Sequence, residues 1–289
     1  MPGSSSSPGD AKGPTTCPGA TSSASTSSPR TCPVLPLAPD PESPRRAHED
    51  RGAPASRRRG AGADRAPRPG RAASDLPVSA KRLCVFGASG RTGLAVVEAA
   101  VRRGHLVRAL CRPGTEASFP PGVEIVHRSL EEAMRPAVEG ADSVLVLFGP
   151  RPPHRDVFCR AATGRVLAGM AETGVRRLVC QTGAMVGALP DNVSRPMRLV
   201  AALFARQRPQ VAADRRGQED VVGASASDWT LVKPPRISGG GEAGNVEIGP
   251  AVRVGLTSRI ALGDLARVLL DLAEADAFLR QAVFLRTCR

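Results

Sequence analysis

The sequence predicts a doubly wound α/β sheet, with parallel strands covered by helices on both faces. Three observations predict it. After Lys81, short apolar runs alternate with helix-period stretches along the rest of the chain. One run, "SVLVLFG" (143–149), is nearly all apolar, as a strand buried on both faces requires. A glycine triplet, "GASGRTG", closes the first run and opens the first helical stretch. Repeated strand–helix alternation implies right-handed crossovers and a parallel sheet.

The elements follow in order. Residues 82–87, "RLCVFG", read as a first strand. Leu94, Val97 and Val101 recur at helical spacing, so 91–103 reads as a helix with Gly104 as its C-terminal cap. Residues 105–111 and 123–128 are the second and third strands. Ser129 with Glu132 three positions on is a capping-box pattern, predicting a short helix that ends at Gly140. The fourth strand (143–149) is followed by a helix over 156–172, a fifth strand over 176–182, and helices over 196–206 and 212–224. "DWTLVKP" (228–234) is a sixth strand, ended by Pro234 and Pro235. A glycine-rich loop (237–249), a helix from Asp264 and a last strand (281–286) complete the chain.

Residues 1–78 differ in kind. They are dominated by Ser, Pro, Gly, Ala and Arg, too few apolar groups to offset chain entropy, and read as a disordered tail. That leaves 79–289 as one domain of common size. The formal net charge is +13, with 11 basic and 7 acidic residues before 79 and 29 and 20 after it. Lys12, Lys81 and Lys233 are the only lysines, Trp229 is the only tryptophan, and tyrosine is absent. Spread arginine without stacking aromatics argues against specific nucleic-acid recognition while favouring anionic small ligands. The seven cysteines form no C-x-x-C pair and no metal-ligand spacing, so no metal is expected and the thiols suit a reducing compartment. No run reaches the roughly 20 apolar residues of a membrane span. A cytoplasmic protein is expected, with the Arg- and Ser-rich tail as an organelle transit peptide as the alternative.

What does the glycine loop hold? Its glycines permit a tight turn and close approach of backbone N–H groups to a pyrophosphate. The helix from Arg91 adds unsatisfied N–H groups and the positive end of its dipole. Gly93, in the first helical turn, would let helix pack closely on strand. Ser89 as a hydrolase nucleophile would need G-x-S-x-G, but Arg91 occupies the second glycine position and no histidine follows His154. A mononucleotide loop would need Gly-Lys-Ser/Thr, which is missing. The second strand ends in Cys111-Arg112-Pro113-Gly114, where NAD-preferring loops carry a carboxylate. Arg112 suits a 2′-phosphate and points to NADP(H), while nearby Glu116 keeps NAD(H) open.

"FGASGRTG", "GADSVLVLFG", "GVRRLVCQTGA" and "SDWTLVKPPRISGG" together resemble the atypical short-chain dehydrogenase family of NAD(P)H-binding proteins. The likeness is to its biliverdin reductase B/flavin reductase type, with NmrA-like proteins as cousins, and spans 82–286. The resemblance implies one Rossmann domain binding an extended NADP(H). It implies that Gly87, Ser89, Gly90, Arg91 and Thr92 cradle the pyrophosphate and that Arg112 meets the 2′-phosphate. Phe148 and Gly149 would lie along the cofactor. Thr182, Gly183, Pro234 and Pro235 would approach the nicotinamide, with the acceptor walled by 184–217 and 236–257.

The departures restrict the chemistry. Without tyrosine, the Tyr-x-x-x-Lys mechanism of alcohol and ketone reduction is excluded. Thr182 is the only hydroxyl local to the end of the fifth strand, which makes it the candidate catalytic residue. Glu219 matches an acidic position of bacterial-type relatives, and both a place facing the site and a solvated place on its helix are open. Flavins, quinones and conjugated pigments need little acid catalysis, since solvent protonates them once hydride is delivered. The expected function is hydride transfer from NADPH to such a small-molecule acceptor. The alternative is a non-catalytic NADP(H)-binding sensor or scaffold of the NmrA-like type.

Overall fold

The computed structural model describes residues 80–150 and 156–288. The tail expected over 1–78 lies outside the described residues. The main sheet has eight strands in the order β3-β2-β1-β4-β5-β6-β10-β8. These are β1 (Arg82–Phe86), β2 (Leu106–Cys111), β3 (Glu124–His127), β4 (Ser143–Val146), β5 (Arg177–Gln181), β6 (Asp228–Lys233), β8 (Val246–Gly249) and β10 (Gln281–Thr287). Seven run parallel, and only the edge strand β8 is antiparallel, paired with β10. The chain leaves β1 towards β2 and β3, then returns to place β4 on the other side of β1. That reversal opens a crevice beyond the carboxyl ends of β1 and β4.

Alternation along each strand builds two cores. Leu83 and Val85 of β1 face α1 (Arg91–Arg102) and α6 (Leu262–Glu274), with Leu145, Val179, Val232, Leu265 and Leu269. Cys84 and Phe86 face α2 (Arg135–Val138), α3 (Cys159–Thr173) and α5 (Pro209–Ala224), with Val146, Cys180, Val166 and Met170. Each fully buried side chain of this size contributes about 1.5–3 kcal/mol. The inner face of α1 is Thr92, Gly93, Val96, Val97 and Ala100, turned from the expected Leu94/Val101 line. Small residues there let the helix lie close to β1. Gly104 takes φ +81° and ends α1 as expected.

Two differences from the sequence reading have physical reasons. The helix expected from Ser129 contracts to α2, Arg135–Val138. Half of the capping box does form, since Ser129 N–H donates to Glu132 Oε1 at 2.8 Å. A helix begun there would carry Pro136 in its interior, without an N–H for the ladder. The stretch read as a glycine-rich loop contains β8 and most of β7 (Arg236–Ser238), which pairs with β9 (Arg259–Ala261) in a separate two-stranded sheet. Strands of three or four residues show no period of their own and exist through their pairing. The helix α4 (Arg195–Gln207) buries only Met197 and Ala201. A small third core, with Ala184, Val193, Val254 and Phe284, ties this segment to β10.

Candidate functional site

The glycine loop is held by contacts that admit no side chain. Gly87 has φ +80°, and a Cβ there would stand 2.8 Å from Phe148 N. At Gly93 a Cβ would fall 2.2 Å from Gly87 O and 2.7 Å from Ala88 O, so α1 lies against the turn that follows β1 only because residue 93 has no side chain. Gly90 N–H donates to Gly87 O at 3.0 Å, and Gly90 then caps α1 without any side chain or first-turn acid. The first helical hydrogen bond runs from Leu94 N–H to Gly90 O, which leaves the amides of Arg91, Thr92 and Gly93 without an intrahelical acceptor. An anion is the natural partner for such a turn.

A cleft of about 950 Å³ lies over this loop. It brings together Gly87, Ser89, Gly90, Arg91, Thr92, Arg112, Phe148 and Gly149. Arg112 is exposed at its mouth. Arg91 has a second engagement: its Nη2 donates to Ser238 O at 2.8 Å, linking the glycine loop to β7. Arg128 and Arg165 also line the cleft, which the sequence reading missed; each braces the 130–133 turn through a carbonyl, Ala133 O and Leu130 O. Phe158 stacks tilted against Phe148, with ring centroids 5.6 Å apart. It is positioned because Asp214 of α5 accepts the N–H groups of Phe158, Cys159 and Arg160 at 2.8–3.1 Å, capping α3 from another helix.

Thr182, Gly183, Pro234 and Pro235 do not line this cleft. They stand on the adjoining strand ends, zipped together by Thr182 N–H to Val232 O and Ala184 N–H to Pro234 O, both 2.9 Å. Val146 pairs with Cys180 at the end of β4, so the segments carrying Phe148 and Thr182 leave adjacent strands. Of the two places open to Glu219, the structure selects the one facing inward. Its Oε1 accepts from Thr182 Oγ1 at 2.7 Å and its Oε2 from Lys233 Nζ at 2.9 Å. The Lys233 side chain is 2% exposed and that of Glu219 10%. Lys233 Nζ also donates to Val186 O at 2.6 Å and Ala188 O at 3.1 Å, so its three N–H groups are all used. Burial pulls the Lys233 ammonium below the ordinary lysine range, and the Glu219 carboxylate opposes that fall.

Sequence reasoning gave Lys233 no role, although a lone lysine ending an apolar strand was a signal. It also missed Arg215, buried beside Gly149. Arg215 Nη1 donates to Gln218 Oε1 and lies 3.5 Å from Phe148 O. Among the described residues no carboxylate lies within ion-pair distance of it. Burial disfavours the thiolates of Cys159 and Cys180, pushing the first up to about 11 and the second to about 12. Burial also raises Cys111 at the cleft, against hydrogen bonds to Ser89. Among the described residues no cluster of His, Cys, Asp and Glu could hold a metal ion, and no helix is long and apolar enough to cross a membrane.

Solved structures share this architecture. A Streptococcus pneumoniae protein proposed to be an NADH-flavin reductase is 22% identical, with TM-score 0.60, over 72% of this chain and 100% of that one. The anaerobilin reductase ChuY of Escherichia coli O157:H7 is 19% identical, with TM-score 0.57, over 71% and 96%. A short-chain dehydrogenase/reductase of Veillonella parvula in complex with NADP is 15% identical, with TM-score 0.59, over 71% and 94%. At these identities the likeness establishes a Rossmann-like fold. The family description "NAD(P)H-binding" matches residues 87–276, from the first glycine of the loop to the end of the last helical region. A side-chain-free anion cradle at the switch point of a parallel sheet and that match agree: the chain belongs to the NAD(P)H-binding family.

Proposed function

We propose that the protein is an NADPH-dependent reductase that passes hydride to a flavin or a similar conjugated acceptor. The observation that carries the reading is the cradle itself: Gly87, Gly90 and the uncapped start of α1 fit a pyrophosphate, with exposed Arg112 at the end of β2. Arg112 stands where a carboxylate would favour NAD(H), so a 2′-phosphate is the better partner there. NAD(H) use at reduced efficiency is compatible with Glu116 nearby.

When bound, the dinucleotide supplies a hydride. The rest of the work falls to this chain. The glycine loop and Arg112 hold the anionic end, while Phe148 and Gly149 extend the wall towards Thr182. No tyrosine exists to protonate an alkoxide, which fits acceptors whose reduced ring takes its proton from solvent. The protein's contribution is then proximity and orientation. Neighbours described as flavin and anaerobilin reductases support this class of acceptor.

The test uses the purified protein with NADPH or NADH and a panel of flavin, quinone and azo-dye acceptors, following cofactor oxidation. Oxidation of NADPH faster than NADH, with the preference lost in Arg112→Ala, is the expected result. Cofactor binding without turnover across the panel would place the protein in the sensor class. Failure to bind either dinucleotide would sink both readings.

A further inference from the structure

We propose that the outward face of α4 docks on an anionic lipid bilayer, so that the protein lies on a membrane surface without crossing it. This docking is independent of the reductase reading above and does not need turnover. α4 packs inward through Met197 and Ala201, one turn apart on one side of the helix. Its other side is apolar where solvent favours polar groups. Leu199 is 72% exposed, Leu203 53% and Val200 40%. Arg195, Leu199, Leu203 and Arg206 recur at spacings of four, four and three, which places them in one outward row. The row has two leucines in the middle and an exposed arginine at each end. Leu256, also 53% exposed, follows a segment joined to the start of the helix by the Val193–Val254 bridge and by Ser194 N–H to Val254 O. Exposed Arg253 stands on that same segment.

Charge decides what covers this face. Elsewhere on the domain exposed arginines meet carboxylates, as Arg176 meets Asp228 and Arg286 meets Glu247. Residues 192–213 hold four arginines and no Asp or Glu. Among the described residues only Arg198 of the four has a carboxylate within ion-pair distance, Asp191 just before the segment. Arg195 and Arg206 are left uncompensated beside bare leucines. A second copy laid on this face would set arginine against arginine, whichever way the two rows ran, at a cost in like-charge repulsion. A bilayer with anionic headgroups satisfies both parts of the row. The leucines enter the acyl boundary while the guanidiniums stay among the phosphates, and a convex ridge needs no preformed groove. Among the described residues no helix is long and apolar enough to span a membrane, but lying on one requires only such a face.

The experiment sediments the full chain with vesicles of phosphatidylcholine, alone or mixed with phosphatidylglycerol. Binding to the anionic vesicles only is expected, weakening as salt rises from about 0.1 M to about 1 M. Leu199→Glu combined with Leu203→Glu should lower the partition at least about tenfold, by taking two leucines out of the apolar boundary. Arg195→Ala and Arg206→Ala should each lower it about fivefold. All four side chains are exposed, so the variants should keep the wild-type thermal midpoint; should the leucine variant not fold, the arginine pair decides. The chain before residue 79 is also rich in arginine, so binding alone does not suffice. Anionic-vesicle binding left unchanged by the α4 substitutions overturns the assignment. So does equal binding to neutral vesicles, or no binding to either. A dimer in light scattering that Leu203→Glu converts to a monomer would give the face to a second copy and overturn it as well.

Discussion

The cleft and the adjoining ends of β5 and β6 are built by opposite means. Around β1, β2 and β4 the site is made of backbone: Gly87, Gly90 and Gly93 approach their neighbours so closely that the cradle is defined by missing side chains. Around β5 and β6 it is made of buried polar side chains, with Thr182, Glu219 and Lys233 bonded to one another and to loop carbonyls. The first design binds a ligand common to a whole family. The second rests on buried side chains that satisfy one another, so a single substitution leaves a partner unpaired.

Four substitutions sharpen this contrast, beginning with the largest effect. Lys233→Ala should cost about 3–5 kcal/mol in chemical denaturation, because it leaves Glu219 buried without its cation. A loss under 1 kcal/mol would mean that the pair is less buried than the geometry says. Gly93→Ala should cost about 1–3 kcal/mol and weaken NADPH binding with it, as α1 is pushed off Gly87 and Ala88. If titration shows wild-type cofactor affinity, the backbone cradle is not the binding element. Asp214→Ala removes three hydrogen bonds from the start of α3 and should cost about 0.5–2 kcal/mol, with Phe158 losing its fixed place. Asp228→Asn should move a thermal midpoint least, since its partner Arg176 is two-thirds exposed. Arg176 holds the Asp228 carboxyl below its usual range, so its contribution is present above pH 3.8 and disappears as pH falls further. A midpoint difference between wild type and Asp228→Asn that does not narrow as pH falls below 3.8 would contradict this.

The same contrast explains what was legible beforehand. The seven parallel strands, the switch point and the cradle residues could be read from the sequence because periodicity and glycine spacing are local signals. Gly93 illustrates this, with its packing role inferred from position alone. Glu219 shows the limit: its helix could be read, but whether its carboxylate faced water or Thr182 depended on the rotation of α5 against β5 and β6. Lys233 and Arg215 were missed for the same reason, being two charges among forty whose burial is a property of the assembled layers. The strands β7, β8 and β9 escaped because pairing, not composition, makes them strands. Pro136 was present to warn against a long α2, but the capping-box pattern before it was the louder signal.

One helix meets both regions. The inward face of α5 carries Asp214, Arg215, Gln218 and Glu219, bonded in turn to the start of α3, the end of β4, Thr163 and Thr182. An apolar face of the same area would tolerate sliding by a turn, because one methyl group replaces another at little cost. This face does not. A slip of one residue breaks the cap, the guanidinium contact and the carboxylate bond together, so α5 has a single permitted setting along its axis. Comparing relatives, one would then expect insertions and deletions to be excluded between 214 and 219 more strictly than in any apolar stretch of the domain.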